Sequence, residues 1–158
     1  MTKFWIATAA VLLSNLAAPI AQAQAGQPIE LKGDVKLDKL VVEGGHEKHV
    51  LLEPKLVVPG DKLIFATAYR NTGSAAVKNF VVTNPIPAGV MLAPDGAPTA
   101  DVSVDGGKTW GKLTSLTVVG AGGVRRPAQS SDATHVRWTL ALLAPGASGT
   151  VTYRGIVR

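Results

Sequence analysis

Apolar and polar residues alternate along several short segments of this 158-residue chain, and no window has the period of an amphipathic helix. In segment 61–71, Leu63, Phe65 and Tyr69 share one face, and Ile64 lies on the other. A period of two is typical of strands that bury one face of an antiparallel sheet. The pattern recurs in three more segments, 79–86, 135–143 and 149–157.

Segment 135–143 is predicted to be a strand that carries a tryptophan of the core. His135 opens this strand and is expected to be an exposed strand-end residue. Apolar residues at every second position should face inward, because side chains alternate along a strand. They are Val136, Trp138, Leu140 and Leu142.

Turn signals separate these segments at short intervals. Glycine supplies positive φ and proline fixes φ near −65°, so clusters of these residues with Asn and Asp mark tight turns. Many short strands with such turns are typical of a β-sandwich or a β-barrel, and we expect about seven strands between Gly60 and Val157. Segment Gly120–Ser131 should be the longest irregular loop. The turns are 59–61, 71–74, 87–89, 94–96, 105–107 and 145–146.

The chain divides into three predicted parts. Residues 1–23 form a signal peptide, which is described below. Residues 24–55 form an N-terminal β extension, and residues 56–158 form the main domain. Within the extension, Ile29–Glu43 alternates and should add one or two strands at the edge of a sheet. Its lysines would protect that edge against pairing with other molecules.

The first 23 residues have the pattern of a secretory signal peptide. Lys3 supplies a positive charge, and Phe4–Leu13 is an apolar run too short to span a bilayer. Small residues then predict cleavage after Ala23 or after Ala25. We therefore expect a periplasmic or secreted bacterial protein without stable membrane insertion after cleavage. The absence of cysteine favours bacterial export over a eukaryotic extracellular module.

The net charge of +5 does not indicate nucleic-acid binding. Nucleic-acid-binding proteins cluster lysine and arginine on one face and often interleave aromatic residues. Here the basic residues are scattered, which fits the outward positions of strands.

Several motifs together resemble the bacterial conserved-repeat surface domain known as domain of unknown function eleven. The resemblance covers roughly Leu56 to Val157. This chain differs from that pattern at Asn84, where Asp is commoner, and at Thr67, where an apolar residue is expected. The matching motifs are Pro59-Gly60-Asp61, Asn71-Thr72-Gly73, Ile86-Pro87 with Gly89, the strand of Trp138, Leu143 with Pro145-Gly146, and the closing strand of Tyr153.

The resemblance implies an all-β fold, an immunoglobulin-like antiparallel β-sandwich, on an exported protein. It implies no catalytic activity and no catalytic residues. Many relatives carry tandem copies on large cell-wall proteins, whereas this chain contains one copy.

Segment 103–110, "SVDGGKTW", has the spacing of an Asp-box, a hairpin turn found in sialidase-like propellers. In such a turn the Asp105 side chain caps backbone N–H groups, Gly107 takes positive φ, and Trp110 packs underneath. We interpret the segment as a structural turn. A bound cation or a remnant of a glycosidase is the alternative.

Segment 43–49, "EGGHEKH", contains the pair His46 and His49, which are candidate metal ligands. A His-x-x-His pair converges on one face of a helix, as zinc and copper sites often require. The two glycines disfavour a helix, and on a strand the pair would point to opposite faces. We therefore interpret the segment as a solvated loop.

No nucleophile has a base partner at a suggestive spacing, and the chain lacks a Gly-x-Ser-x-Gly elbow and a phosphate-binding loop. The sequence therefore predicts a non-catalytic module without a cofactor, which binds an unknown protein or a component of the cell envelope. The alternative function is periplasmic metal binding through His46 and His49, and a hydrolase is a third possibility. Arg125 and Arg126 are interpreted as two solvated charges, with contact to an acidic partner or proteolysis as the alternative.

Overall fold

The computed structural model describes residues 28–158, so the predicted signal peptide and both predicted cleavage sites lie outside the described residues. These residues form ten strands and three single-turn 3₁₀ helices, and all strand pairs are antiparallel. The strands are β1 Ile29–Glu43, β2 His46–Leu52, β3 Lys62–Asn71, β4 Val77–Pro85, β5 Val90–Leu92, β6 Asp101–Ser103, β7 Thr117–Val119, β8 Arg125–Pro127, β9 His135–Leu143 and β10 Ser148–Val157. The 3₁₀ helices are Leu113–Ser115, Ala121–Gly123 and Ser130–Asp132.

Two sheets enclose one hydrophobic core. The first sheet has the strand order β2-β1-β3-β10-β5, and the second has the order β4-β9-β6. The predicted all-β, antiparallel sandwich is therefore confirmed. Eight strands follow residue 60, where about seven were predicted, and two of these, β7 and β8, form a separate ribbon.

The inward faces of β3 and β10 meet at a stacked pair of aromatic rings. The rings of Phe65 and Tyr153 are 4.6 Å apart at their centroids and lie 3° from parallel. The Tyr153 hydroxyl donates a hydrogen bond of 3.1 Å to the Pro85 carbonyl on β4, and burial raises the pKa of this hydroxyl. The aromatic pair therefore joins the two sheets through both packing and a hydrogen bond.

Two hydrogen-bonded polar sites lie inside this core. The Asn84 side-chain amide of β4 donates a 2.8 Å hydrogen bond to the Thr67 hydroxyl of β3, across the sandwich. Asn71, which is fully buried, donates to the carbonyls of Ala75 and Leu143 at 2.8 and 3.0 Å. Buried amides require such partners, because an unpaired one is costly.

Most of the residues of β9 that were predicted to face inward do so, but one does not. Trp138 is buried, as predicted, whereas Leu142 is 61% exposed and Leu143 takes its place in the core. The inward face changes phase opposite Asn79 of β4, whose φ of 51° is positive. The prediction for Leu142 was wrong because it assumed one unbroken alternation along the strand.

Segment Gly120–Ser131 is more regular than predicted. Its residues 125–127 form β8, which pairs with β7, and Ala121–Gly123 and Ser130–Asp132 are 3₁₀ turns. The prediction of an irregular loop was therefore wrong. A three-residue strand is too short for a period of two to be visible in the sequence.

The N-terminal extension is a β-hairpin in the first sheet. Strand β1 pairs with β3 over ten residues, from Ile29 opposite Asn71 to Asp38 opposite Lys62. The prediction that Ile29–Glu43 forms the edge was therefore wrong: β1 is an inner strand of the sheet, and β2 is the edge. Beyond the end of β3, residues 39–43 of β1 pair with β2 alone. We call residues 39–50 the hairpin arm.

Candidate interaction surface

The tip of the hairpin arm is a two-residue turn made by Gly44 and Gly45. Their φ angles are 60° and 81°, which match the left-handed turns that join two twisted strands. Residues 46–49 therefore belong to strand β2, and the prediction of a solvated loop for this segment was wrong. The segment is not helical, as predicted, and the Gly-Gly pair forms the turn of a hairpin.

Exposed apolar side chains concentrate around the arm. Ten large hydrophobic residues are exposed within residues 28–158, and seven of them lie between residues 40 and 58. Single exposed apolar residues are ordinary, whereas a concentration of them in one segment favours an interaction site. Leu40, Val42 and Leu51 lie on the outer face of the sheet, and Val41 and Leu52 lie on the opposite face. The seven are Leu40, Val41, Val42, Leu51, Leu52, Leu56 and Val58.

The arm also presents unpaired backbone groups. A two-residue hairpin loop is closed by a hydrogen-bonded pair, here Glu43 and His46. Because strand residues alternate in the direction of their N–H and C=O groups, Glu47, His49 and Leu51 direct theirs toward the free edge. An edge of this kind can pair with another strand.

Ion pairs fix the base of the arm to the sandwich. The Lys39 ammonium lies 2.6 Å from an Asp61 oxygen, and the Val58 N–H donates to the other oxygen of Asp61 at 3.0 Å. The hydrogen bond from Lys39 lowers the pKa of Asp61 most, and the hydrogen bond from the Val58 N–H lowers it further. Lys36 also bonds to Glu53 in the connection to β3. These contacts hold the arm in line with the sheet.

The two histidines of β2 lie on opposite faces of the strand. His49 is on the outer face of the sheet, the face that points away from the core, because its partner Leu40 is there. Its Nδ1 atom is 2.6 Å from an Asp38 oxygen on β1. His46 is on the other face, so the pair does not converge on one ion. Within residues 28–158, no three histidine, aspartate or glutamate side chains form a group that could hold a metal ion.

A groove runs along the outer face next to His49. It has a volume of about 670 Å³ and crosses from β2 to β10. Leu51 and Ile64 supply apolar surface, while Asp95 and Arg154 supply opposite charges that are 3.9 Å apart. The groove continues the surface of the arm onto the sheet.

The Asp-box segment forms the predicted structural turn. One Asp105 oxygen accepts hydrogen bonds from the N–H groups of Lys108 and Thr109 at 3.0 and 2.9 Å. Hydrogen bonds from Thr109, then from Ser103, lower the pKa of Asp105. The Thr109 hydroxyl donates to the other Asp105 oxygen at 2.7 Å. Hydrogen bonds within the turn therefore account for the position of this carboxylate without a cation.

Trp110, from the same turn, packs on the outer face of the second sheet rather than in the core. Its indole N–H donates to the Gly107 carbonyl at 2.9 Å. The Arg137 guanidinium lies 4.5 Å from the ring centroid, and the ring of half-buried His135 meets the indole edge-on at 6.3 Å. His135 is therefore less exposed than predicted.

Arg126 is held by its own chain. Its guanidinium makes two hydrogen bonds of 2.7 Å with the Asp132 carboxylate. Arg125 is exposed on β8. The sequence did not indicate the partner of Arg126 or the Asp38–His49 contact, because both depend on how strands and turns pair.

Comparison of the chain with family models, with curated proteins and with solved structures gives no match. No helix within residues 28–158 has the length and hydropathy that a membrane span requires.

Proposed function

We propose that this protein is an exported, non-catalytic module that binds a partner through the hairpin arm and the free edge of β2. The observation that carries the proposal is the coincidence of seven exposed apolar side chains with an unpaired strand edge. A partner that adds a strand there would satisfy the free backbone groups and cover apolar surface at the same time.

Export and family membership belong to the same proposal. The N-terminal sequence pattern supports a periplasmic or secreted location, with a mature chain that begins at Gln24 or Gly26. The motifs from Pro59 to Tyr153 support membership in the surface-domain family and an immunoglobulin-like arrangement of the sandwich. The partner is then a protein or another component of the cell envelope.

The alternative of a metal carrier that uses His46 and His49 together has less support. Side chains three residues apart on one strand point to opposite faces, so these two imidazoles cannot share an ion within one chain. Each histidine must be considered separately.

The location is tested by fractionation of the producing cells and mass spectrometry of the protein N-terminus. We expect a chain that begins at Gln24 or Gly26 in the periplasm or the medium. An intact Met1 on a cytosolic protein would contradict export.

The binding surface is tested by a photo-crosslinking amino acid placed at Leu51 in the producing cells. Thr139, an exposed residue at the centre of the second sheet, is the matched control position. We expect discrete crosslinked products from position 51 and none from position 139. Identical products from both positions would contradict binding through the arm.

A further inference from the structure

We propose that the β2 edge pairs with the β2 edge of a second copy of this chain, and that the two His49 side chains meet there to bind one divalent transition-metal ion. This inference rests on the proposed function, because it names the partner of the hairpin arm. The ion would be of the class that imidazole prefers, such as zinc.

The pairing geometry follows from the free edge. Glu47, His49 and Leu51 direct their N–H and C=O groups outward, so a two-fold antiparallel pair must form its hydrogen bonds between these residues. Pairing of all seven residues of β2 then places its midpoint, His49, opposite His49 of the second copy. The five-stranded sheets of the two copies would then join into one ten-stranded sheet.

Charge favours this register over its neighbours. In the full register, Glu47 lies opposite Leu51, and Lys48 lies opposite Val50. If the two-fold axis passed through Lys48 instead of His49, Lys48 would lie opposite Lys48 of the second copy. If the axis passed through Val50, Glu47 would lie opposite Glu53. Like charges directly opposite each other destabilise a strand pair. The full register avoids both conflicts.

The one like pair in the full register is His49 with itself, and this pair is prepared for a metal ion. Asp38 holds the Nδ1 atom at 2.6 Å, which leaves Nε2 as the coordinating atom. A carboxylate on the second ring nitrogen is the usual support of a metal-binding histidine, since it fixes the ring and raises its basicity. Directly opposed residues have Cβ atoms about 5 Å apart, within reach of one ion between two rings.

A single chain cannot complete this site. Within residues 28–158, His49 and Asp38 have no third metal-ligating side chain beside them. The second copy supplies the second imidazole, and two water molecules would complete a tetrahedral ion. Metal binding and dimerisation are therefore one event.

The test is a zinc titration of the purified protein, followed by sedimentation equilibrium and by measurement of bound zinc. We expect the mass to double on zinc addition, with one zinc per two chains. His49→Gln should abolish both effects, whereas His46→Gln, on the same strand but the opposite face, should retain both. Asp38→Asn should weaken zinc binding by about 10–100-fold.

A monomer that binds one zinc per chain, or a dimer that His46→Gln abolishes, would overturn the inference. If zinc causes no dimer while position 51 still crosslinks to a different polypeptide, the proposed function stands and this inference fails.

A second experiment tests the register by covalent capture of transient encounters between two β2 edges, which occur without metal although the stable dimer requires it. The native chain has no cysteine, so one introduced cysteine gives a clean readout. His49→Cys should form a disulfide-linked dimer under mild oxidation, because opposed residues satisfy disulfide geometry. His46→Cys should not, because its copies would lie about 20 Å apart along the strands. Equal crosslinking of the two variants would overturn the register.

Discussion

At the scale of single residues, the hydrogen bond between Asn84 and Thr67 joins β4 of one sheet to β3 of the other. Both residues are buried. The Asn84 Oδ1 atom has no partner within residues 28–158, so the Thr67 hydroxyl is the sole bonding partner of this amide. Two polar residues that lie 17 positions apart in the sequence therefore form one interaction inside the core.

Thr67→Val should lower the free energy of unfolding by about 1–3 kcal/mol, because it leaves a buried amide without a partner. Urea denaturation measures this loss. The double variant Thr67→Val/Asn84→Leu should recover most of it, since replacement of both partners by apolar groups is nearly neutral. A Thr67→Val protein as stable as the wild type would show that the bond contributes little.

Asp105 should make stability depend on pH below about 4, the usual range for an aspartate. Hydrogen bonds lower its pKa in the folded chain, so its contribution is present above the unfolded pKa and is lost as the pH falls through the folded value. Asp105→Asn should therefore be less stable than the wild type at pH 7, and this difference should shrink between pH 4 and pH 2. Thermal melts across that range measure it. A constant difference would contradict the assignment.

At the scale of elements, Asn79 determines which side chains of β4 and β9 face the core. Val77 and Phe80 are both buried although they are three residues apart, and the positive φ of Asn79 lies between them. On β9 the change from Leu140 to Leu143 occurs at the same level. One left-handed residue thus reverses the inward face of two paired strands.

Asn79→Val should destabilise the protein by about 1–2 kcal/mol relative to Asn79→Gly, because a branched side chain is strained in the left-handed region and glycine is not. Chemical denaturation of the two variants measures the difference. Equal stability would show that this backbone conformation can relax without cost.

Element types could be predicted from the sequence better than their connections. Alternation located β3, β4, β9 and β10, and turn chemistry located the Asp-box turn at Asp105. The reversal at Asn79 could not be predicted, because asparagine occurs both in strands and in turns and its φ is set by the surrounding pairs. The arm was missed for a similar reason: two glycines next to histidines indicate a break, and only pairing of residues 39–43 with 46–50 makes it a hairpin.

At the scale of the whole molecule, the central position of β3 explains how a chain without disulfides holds together. β1 and β10 pair with its two sides over ten and nine residues. The order of the strands rests on these long-range pairs, which local sequence patterns do not encode. For this reason the sequence predicted the sandwich but wrongly placed Ile29–Glu43 at the edge of a sheet, where β2 lies instead.

Hydrogen exchange should follow this order. Amides of β3 should exchange most slowly, since both of its edges are paired and its inner face is buried. Amides of Glu47, His49 and Leu51 should exchange much faster than those of β3, because they point toward the free edge of β2. Mass spectrometry or NMR after transfer to D₂O measures both rates. Strong protection of these three amides in a monomer would contradict the free edge.

The placement of β1 and β10 on either side of β3 also has a mechanical consequence. Both run antiparallel to β3, so Ile29 and Ile156 lie at opposite ends of the same sheet. Tension applied between residues 28 and 158 would pull these ladders lengthwise, in shear, and their hydrogen bonds would resist together rather than open one by one. A domain held at its two ends would therefore resist extension by this geometry.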